Sequence, residues 1–379
     1  MGFWLTVLMI WVGLVVYLGF RGRQAFDSLI PSGFGIAYWI LFILIASSFI
    51  WDRMLPSGNS SWFQPILNWV GAYSIAAFFY SLLFVILIDI LRLLDRWLGF
   101  IPDSIKESPA KVGLAVVCLV AGLLLYGTWN AWHPVVRHYE ITIPKSANGS
   151  QSLHAILLSD LHLGNIVNSQ RLAGIIDQIQ QRDPDIILLA GDVIDDDIGS
   201  FVEQNMAAIF RQVDPRLGIY MVLGNHDGRG TTETVTCLEE AGITVLRNQY
   251  VLINDSFYLV GREDRGHGRA SAARKPLAEV MAGINHDRPI IMLDHNPSQL
   301  EEGQINGVDL QLSGHTHQGQ LFPLGFITRR MYEVDWGYLR KGEMQVIVST
   351  GVGTWGPPIR IGNTPEVVDL KINFSGESY

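Results

Sequence analysis

The sequence predicts an α/β sandwich preceded by a four-helix transmembrane domain. Residues 1–132 are strongly apolar, whereas residues 133–379 have the composition of an ordinary globular domain. In the second region, short apolar runs alternate with segments of helical periodicity, which is typical of strand–helix–strand units. The chain therefore divides into a transmembrane domain at residues 1–132 and an α/β domain at residues 133–379.

Composition limits the classes of protein that fit this chain. Of its 379 residues, 49% are hydrophobic and only 17% are charged, which is too apolar for an ordinary soluble enzyme. The net charge of −9 argues against a nucleic-acid partner, because such a partner needs a basic face. The two cysteines, Cys118 and Cys237, indicate no disulfide framework.

Four apolar stretches are each close to the ~20 residues that a helix needs to cross a bilayer. They are residues 3–20, 34–51, 66–88 and 112–132. The first stretch has no basic n-region and no small-residue cleavage site, so we expect a retained anchor rather than a signal peptide. Asp89 ends the third stretch three residues before Arg92, where a helical pair would satisfy it. No charge lies in the middle of a stretch, which argues against a transporter.

The basic residues of the loops predict the orientation in the membrane. The loops after the first and third stretches carry six of them, namely Arg21, Arg23, Arg92, Arg96, Lys106 and Lys111. The second loop carries only Arg53. Because basic loops stay cytoplasmic, the amino terminus and everything after Trp132 are expected outside the cytoplasm. The chain reads as a multi-pass protein of the cell (inner) membrane with an extracytoplasmic second domain.

Polar residues follow five short apolar runs in the second domain. The runs are residues 153–158, 186–190, 219–223, 290–293 and 308–312, and each reads as a buried strand. The polar residues behind them are Asp160, His162, Asp192, Asn225, His226, Asp227, His295, His315 and His317. Carboxyl ends of strands collect ligand sites, so these side chains are expected in one pocket. Carboxylate, amide and imidazole ligands suit Mn, Fe or Zn.

The motifs resemble those of the calcineurin-like metallophosphoesterases, in particular a membrane-anchored bacterial subgroup. They are Asp-x-His, Gly-Asp, Gly-Asn-His-Asp, a lone His and Gly-His-x-His, in that order. Each motif alone is weak, but five in order are specific. The resemblance covers roughly residues 153–370 and implies a two-sheet α/β/β/α sandwich with the activity of a phosphoric ester hydrolase.

The resemblance also implies two divalent metal ions, Mn, Zn or Fe. Carried over residue by residue, it gives one ion to Asp160, His162, Asp192 and His317, and the other to Asp192, Asn225, His295 and His315. Asp192 would bridge the two ions, because a shared carboxylate offsets the repulsion between two dications roughly 3.5–4 Å apart. Hydroxide held between the ions would be the nucleophile.

His226 and Asp227 are the expected catalytic residues. The resemblance points the imidazole of His226 at the leaving oxygen or at an equatorial phosphoryl oxygen, while Asp227 could hold that imidazole in its working tautomer. The alternatives are a purely structural hydrogen bond for His226 and a turn or helix-cap role for Asp227. Trp355 and Arg360 are candidate substrate contacts, with a packing tryptophan and a surface arginine as equal alternatives. Residues 195–197 are interpreted as a solvated acidic loop, with orientation of water around the metal ions as the alternative.

Further local patterns predict the remaining elements. Residues 135–143 alternate as an edge strand, residues 251–260 form a hairpin that turns at Asn254 and Asp255, and Ser169 caps a helix. Residues 346–349 form a further strand, and residues 366–372 close the second sheet. The charged stretch 262–269 is interpreted as a solvated loop, with contact to a substrate phosphate as the alternative.

The resemblance favours a membrane-anchored phosphoesterase that hydrolyses a phosphate ester or pyrophosphate bond. The expected partners are a phosphate-containing substrate and membrane lipid, and the anchor makes a lipid-linked substrate attractive. The alternative is a sensor or scaffold that binds a ligand without turning it over. Such a domain would be free to lose ligands, whereas this chain keeps every expected ligand together with His226.

Overall fold

The computed structural model describes residues 2–54, 63–195, 197–227, 231–265 and 274–376. The chain forms two compact units, Met1–Gly127 and Thr128–Tyr379. The boundary falls within the fourth apolar helix, so residues 128–131 belong to the second unit.

The first unit consists of long apolar helices and one short helix. Their bounds are α1 (Gly2–Phe26), α2 (Gly35–Met54), α3 (Gln64–Leu98), α4 (Asp103–Lys106) and α5 (Pro109–Ala131). Helices α1, α2, α3 and α5 are long and apolar enough to cross a membrane. Large side chains such as Ile10, Leu41 and Leu125 are more than half exposed on them, which suits lipid surroundings.

Two details of this unit differ from the sequence prediction. Helix α3 continues ten residues beyond position 88 and ends at Gly99, whose φ of 62° is left-handed. The carboxylate of Asp89 pairs with Arg21 of α1 and accepts a hydrogen bond from Tyr17 at 2.6 Å. The expected pair with Arg92 is therefore replaced by a contact between helices, which sequence spacing within one helix does not reveal.

The second unit contains two six-stranded sheets. Its strands are β1 (Val135–Ile143), β2 (Ser152–Leu158), β3 (Ile186–Ala190), β4 (Ile219–Val222), β5 (Ile243–Val245), β6 (Gln249–Ile253), β7 (Phe257–Gly261), β8 (Ile290–Leu293), β9 (Leu310–Ser313), β10 (Gly337–Lys341), β11 (Met344–Val348) and β12 (Glu366–Phe374). The first sheet has the order β1-β12-β2-β3-β4-β5, and the second has the order β10-β11-β9-β8-β7-β6. In both sheets the strands that precede the polar motifs run parallel to each other.

Short helices cover the outer faces of the sheets. They are α6 (Ser169–Gln180), α7 (Gly199–Glu203), α8 (Met206–Phe210), α9 (Thr232–Glu240), α10 (Leu277–Val280), α11 (Leu300–Ile305) and α12 (Gly325–Met331). One core lies between the sheets and two lie under the helices. Strand β3 shows the alternation, because Leu188 faces the central core while Ile187 and Leu189 pack under α6. The predicted α/β/β/α sandwich is confirmed.

Most local expectations agree with the structure, and one is wrong. Strand β1 lies at a sheet edge, and β6 and β7 form the hairpin with left-handed Asn254 and Asp255 at its turn. Helix α6 is capped one residue earlier than expected, by Asn168. Strand β12 does not close the second sheet, since it pairs with β1 and β2 in the first. Its neighbours Val367 and Val368 lie in different cores, so both of its faces are covered.

The charged stretch 262–269 is described only as far as Arg265. Arg262 is buried and pairs with Glu302 at 2.6 Å, while Glu263 pairs with Arg247 at 2.6 Å. These two residues are therefore structural rather than solvated. Residues 266–269 lie outside the described part of the chain.

Candidate metal centre

The loops that follow β2, β3, β4, β8 and β9 bring the sequence-predicted ligands together. Strand β2 leads to Asp160 and His162, and β3 leads to Asp192. Strands of both sheets contribute, since Asn225 follows β4, His295 follows β8, and His315 and His317 follow β9. The two packed sheets thus bring five segments that are distant in sequence together at one site.

One group of ligand atoms consists of Asp160, His162 and His317. Nε2 of His162 lies 3.1 Å from Nε2 of His317, which lies 3.3 Å from Oδ1 of Asp160. All three residues are buried. Two ring nitrogens and a carboxylate oxygen therefore converge on one point.

A second group consists of Asp192, His295 and His315. Nε2 of His295 lies 3.2 Å from Oδ2 of Asp192, 3.2 Å from Nδ1 of His315 and 3.3 Å from Oδ1 of Asn225. The same Asp192 oxygen lies 3.7 Å from Nε2 of His162 in the first group. Asp192 is thus the residue placed between both groups.

These residues fit divalent metal ions. In each group the ligand atoms lie within 4.8 Å of one another. Nitrogen and oxygen ligands of this kind suit Mn, Fe and Zn, and the set contains no cysteine. A buried cluster of imidazole and carboxylate groups also needs a compensating charge, which cations supply. Asp160, His162 and His317 could hold a divalent ion, as could Asn225, His295 and His315, and Asp192 lies next to both groups.

Backbone geometry supports a functional role for the cluster. Five of the seven predicted ligands have left-handed φ angles, namely Asp160 at 53°, His162 at 49°, Asp192 at 54°, His315 at 73° and His317 at 47°. Such angles cost on the order of 1–3 kcal/mol for residues other than glycine, and they concentrate at active sites. The chain therefore bears local strain at the positions where the ligands converge.

Two glycines leave room for the carboxylates. A Cβ atom at Gly224 would lie 2.2 Å from Oδ1 of Asp192, and one at Gly314 would lie 2.3 Å from Oδ2 of Asp160. Any larger residue would push a ligand out of place. Close approach thus explains the glycine that precedes Asn225 and the glycine that precedes His315.

Backbone amides orient both carboxylates. The amide of His226 donates to Oδ1 of Asp192 at 2.7 Å, so Oδ2 is left for the two groups of ligands. The amide of His315 donates to both oxygens of Asp160, at 3.1 and 3.0 Å. The loops therefore hold each carboxylate before any ion binds.

The tautomer of His295 is set by a carbonyl. Its Nδ1 donates to the carbonyl oxygen of Ala190 at 2.7 Å, so Nε2 faces the site. Burial alone would lower the pKa of His295, but the carboxylate of Asp192 raises it well above its usual value. The pKa of His315 falls to about 4, because the ring is buried and lies beside His295. Asp192 therefore favours a positive charge on the neighbouring His295, whereas burial and His295 disfavour a positive charge on His315.

The structural role that the sequence left open is the one observed for Asp227. Its buried carboxylate accepts hydrogen bonds from the amides of Asp192 and Gly224, at 2.8 and 2.7 Å, and from the amide of Ile194 at 2.8 Å. Both oxygens are directed at backbone amides instead of at the imidazole of His226. Asp227 therefore joins two ligand loops, and its expected catalytic role stays a prediction.

Asp195 is a site residue that the sequence offers only as the less favoured alternative. Its Oδ1 lies 3.4 Å from Nδ1 of His162 and 3.9 Å from Nδ1 of His226, so the preference for a solvated loop is wrong. The signal in the sequence is its position three residues after Asp192 in the same short loop.

Trp355 lies on another side of His226. The two rings are 5.7 Å apart, and Trp355 is 44% exposed. His226 thus lies between an acid and an aromatic wall.

Arg360 is not a substrate contact or a surface arginine. Its side chain is fully buried, and its Nη2 donates to the carbonyl oxygens of Gly351 and Gly353 at 3.1 and 2.7 Å. The same nitrogen lies 3.2 Å from Nδ1 of His317. Burial lowers the pKa of Arg360 to about 9. Arg360 therefore holds the ring of a predicted metal ligand.

The carboxyl end of α5 is bonded to the same loop. The side-chain amide of Asn130 donates to the carbonyl oxygens of Arg360 and Asn363, at 2.9 and 2.7 Å. Arg171 of α6 donates to the carbonyl oxygen of Ala131 at 2.5 Å. Two side chains thus fasten the helix end within the second unit.

A two-sheet sandwich whose strand ends gather Asp, Asn and His ligands defines a metallophosphoesterase domain. A family model described as calcineurin-like phosphoesterase matches residues 153–319. The chain is 34% identical over 247 residues to an uncharacterized metallophosphoesterase of Aquifex aeolicus, covering 64% of this chain and 92% of that protein. The chain belongs to the calcineurin-like phosphoesterase family.

Similarity to another relative extends into the apolar helices. A transmembrane protein with metallophosphoesterase domain from Danio rerio is 28% identical over 372 residues, which cover 93% of this chain and 83% of that protein. Among solved structures, TT1561 of Thermus thermophilus is similar at 12% identity and a TM-score of 0.36, over 53% of this chain and 90% of that chain.

Proposed function

We propose that the protein is a membrane-anchored phosphoesterase that hydrolyses a phosphate ester or pyrophosphate bond with two divalent metal ions. The observation that carries the proposal is the position of Asp192, whose Oδ2 lies 3.2 Å from His295 and 3.7 Å from His162. A single carboxylate shared by two histidine groups is the arrangement that two ions require. Bound there, the ions would polarise phosphoryl oxygens and lower the pKa of water.

The chain's own residues supply the remaining steps. His226 has its Nδ1 on the side of Asp195, so we assign its other ring nitrogen to donate a proton to the leaving oxygen. The exposed ring of Trp355 forms a wall beside His226 and excludes water from one side of the substrate.

The second domain is placed outside the cytoplasm in this proposal. Support comes from the basic residues near the carboxyl ends of α1 and α3, in α4 and at the start of α5, which contrast with the single arginine near the carboxyl end of α2. The four apolar helices further support a multi-pass protein of the inner membrane.

The substrate is proposed to be lipid-linked. The side chain of Asn130, in the last turn of an apolar helix, is hydrogen-bonded to the loop of Arg360, whose guanidinium contacts His317. A site tethered so closely to a membrane helix meets lipid phosphates at high effective concentration. The simpler alternative is that the helices serve only as an anchor or as an oligomerisation surface.

Hydrolysis by metal-depleted and reconstituted protein tests the proposal. The full-length protein would be stripped with a chelator, reloaded with Mn, Fe or Zn, and assayed on phosphomonoesters, phosphodiesters and lipid-linked pyrophosphates. We expect turnover only after reloading, and faster turnover of a lipid-linked substrate. Metal binding without turnover of any phosphate compound would support the sensor alternative instead.

A further inference from the structure

A group of large apolar side chains is exposed on and beside helix α12. Phe322, Phe326, Ile327 and Met331 are 54%, 60%, 55% and 67% exposed, and Arg329 and Arg330 are exposed among them. We call these residues, Phe322, Phe326, Ile327, Arg329, Arg330 and Met331, the α12 patch.

The α12 patch contributes little to the core of the domain. Helix α12 has no buried residue, although three of its seven residues are large and apolar and two are basic. Burying a large apolar side chain is favourable, so an exposed set of four marks a contact surface. In the described part of the chain, neither Arg329 nor Arg330 has an ion-pair partner.

The patch adjoins the candidate metal centre. A cavity of about 180 Å³ is lined by Phe322, Phe326 and Arg329 together with Gln318. Gln318 directly follows the predicted ligand His317. A molecule that enters from the patch therefore reaches the residue next to a metal ligand.

The patch also lies near the end of the last apolar helix. The amide of Phe322 donates to the carbonyl oxygen of Ile361 at 2.7 Å, and the preceding carbonyl, that of Arg360, accepts from Asn130. Trp129 and Trp132 are 59% and 37% exposed at this helix end, and exposed tryptophans at a helix end mark the interface of a bilayer. Two hydrogen bonds, through the neighbouring residues Arg360 and Ile361, thus connect the start of the patch to the end of the last apolar helix.

We propose that the α12 patch inserts into the surface of the bilayer, with its apolar side chains among the acyl chains and Arg329 and Arg330 on anionic lipid phosphates. An element with apolar side chains on one part and basic residues on another is suited to this layer. Arginines close to an anionic lipid surface strengthen this attachment. The proposal adds a lipid contact to the proposed function and does not depend on turnover.

Quenching by spin-labelled lipid tests the insertion. In a Cys118→Ser, Cys237→Ser background, Ile327→Cys or Met331→Cys would carry a bimane label on the full-length protein in vesicles of phosphatidylethanolamine and phosphatidylglycerol. The control is Ile305→Cys, because Ile305 is 82% exposed and precedes β9, at the end of the sheet opposite to the metal centre. Nitroxide on a shallow acyl carbon is expected to quench labels 327 and 331 at least threefold more than label 305.

Equal quenching at all three positions would overturn the proposal. The proposal would also be overturned if the emission of the label at position 327 were shifted to the blue without quenching by lipid. That result would mean that a second copy of the chain covers the patch. The double substitution Arg329→Gln, Arg330→Gln is expected to reduce quenching in vesicles with phosphatidylglycerol and to leave it unchanged in pure phosphatidylcholine. If lipid quenches the labels as expected but the protein hydrolyses no phosphate compound, the insertion stands and only the proposed function is rejected.

Discussion

Nη2 of Arg360 lies 3.2 Å from Nδ1 of His317, and the carbonyl oxygen of the same arginine accepts a hydrogen bond from Asn130 at 2.9 Å. One buried arginine therefore contacts a predicted metal ligand with its side chain and the end of a membrane helix with its backbone.

Replacing Arg360 is expected to loosen the metal centre. Arg360→Ala removes the donor beside His317 and leaves the carbonyls of Gly351 and Gly353 without it. Groups that orient a ligand typically change metal affinity by about 10–100-fold. Competition with a fluorescent chelator measures this affinity, and Arg360→Lys should restore part of it. The control is Arg340→Ala, an exposed arginine, and equal affinity in both alanine variants would contradict the role.

Asn130 is expected to act as a donor. Asn130→Ala removes two hydrogen bonds and leaves two buried carbonyl oxygens unpaired, at about 1–3 kcal/mol each. Asn130→Asp keeps the shape but turns a carboxylate towards the same two oxygens. We therefore expect the free energy of unfolding of the second unit to fall further in Asn130→Asp than in Asn130→Ala. Equal losses would show that packing, rather than donation, matters at this position.

Asp227→Asn separates a structural role from a catalytic one. The carboxylate of Asp227 accepts hydrogen bonds from three backbone amides, and an asparagine would place its own N–H group against at least one of these donors. Hydrogen bonds to charged groups contribute about 1.5–3 kcal/mol to stability. We expect a lower melting temperature together with weaker metal binding. Asp214→Asn, on an exposed carboxylate of the same unit, is the control. A variant with unchanged melting temperature but reduced kcat would restore the role of Asp227 in setting the tautomer of His226.

Protease access tests the orientation of the chain. Protease added to intact spheroplasts should digest the domain that follows Trp132, because six basic residues near the first and third connections are expected to keep those connections in the cytoplasm. Protection of the domain in intact spheroplasts, with digestion only after lysis, would reverse the topology.

Local patterns predict most of the fold and the ligands. Short apolar runs followed by Asp, Asn or His identify β2, β3, β4, β8 and β9, since strand and turn chemistry are both encoded locally. The prediction that β12 closes the second sheet is wrong, because the sequence does not reveal which strand edges remain open for pairing. Arg360 was misassigned for a related reason: its 43-residue separation from His317 is closed only by the tertiary fold. The sequence favours a solvated position for Asp195 over a place in the site, because its neighbours in sequence are also acidic.

Metal content together with turnover tests the central claim most directly. The measurement compares the wild-type protein, Asp192→Ala and His226→Ala by metal analysis and by hydrolysis of the best substrate. We expect two ions for each wild-type chain, and almost none in Asp192→Ala because its carboxylate is shared by both groups. His226→Ala should keep both ions and lose turnover by about 10²–10⁴-fold, the usual effect of a general acid. Normal turnover in His226→Ala, or two ions retained in Asp192→Ala, would contradict the account.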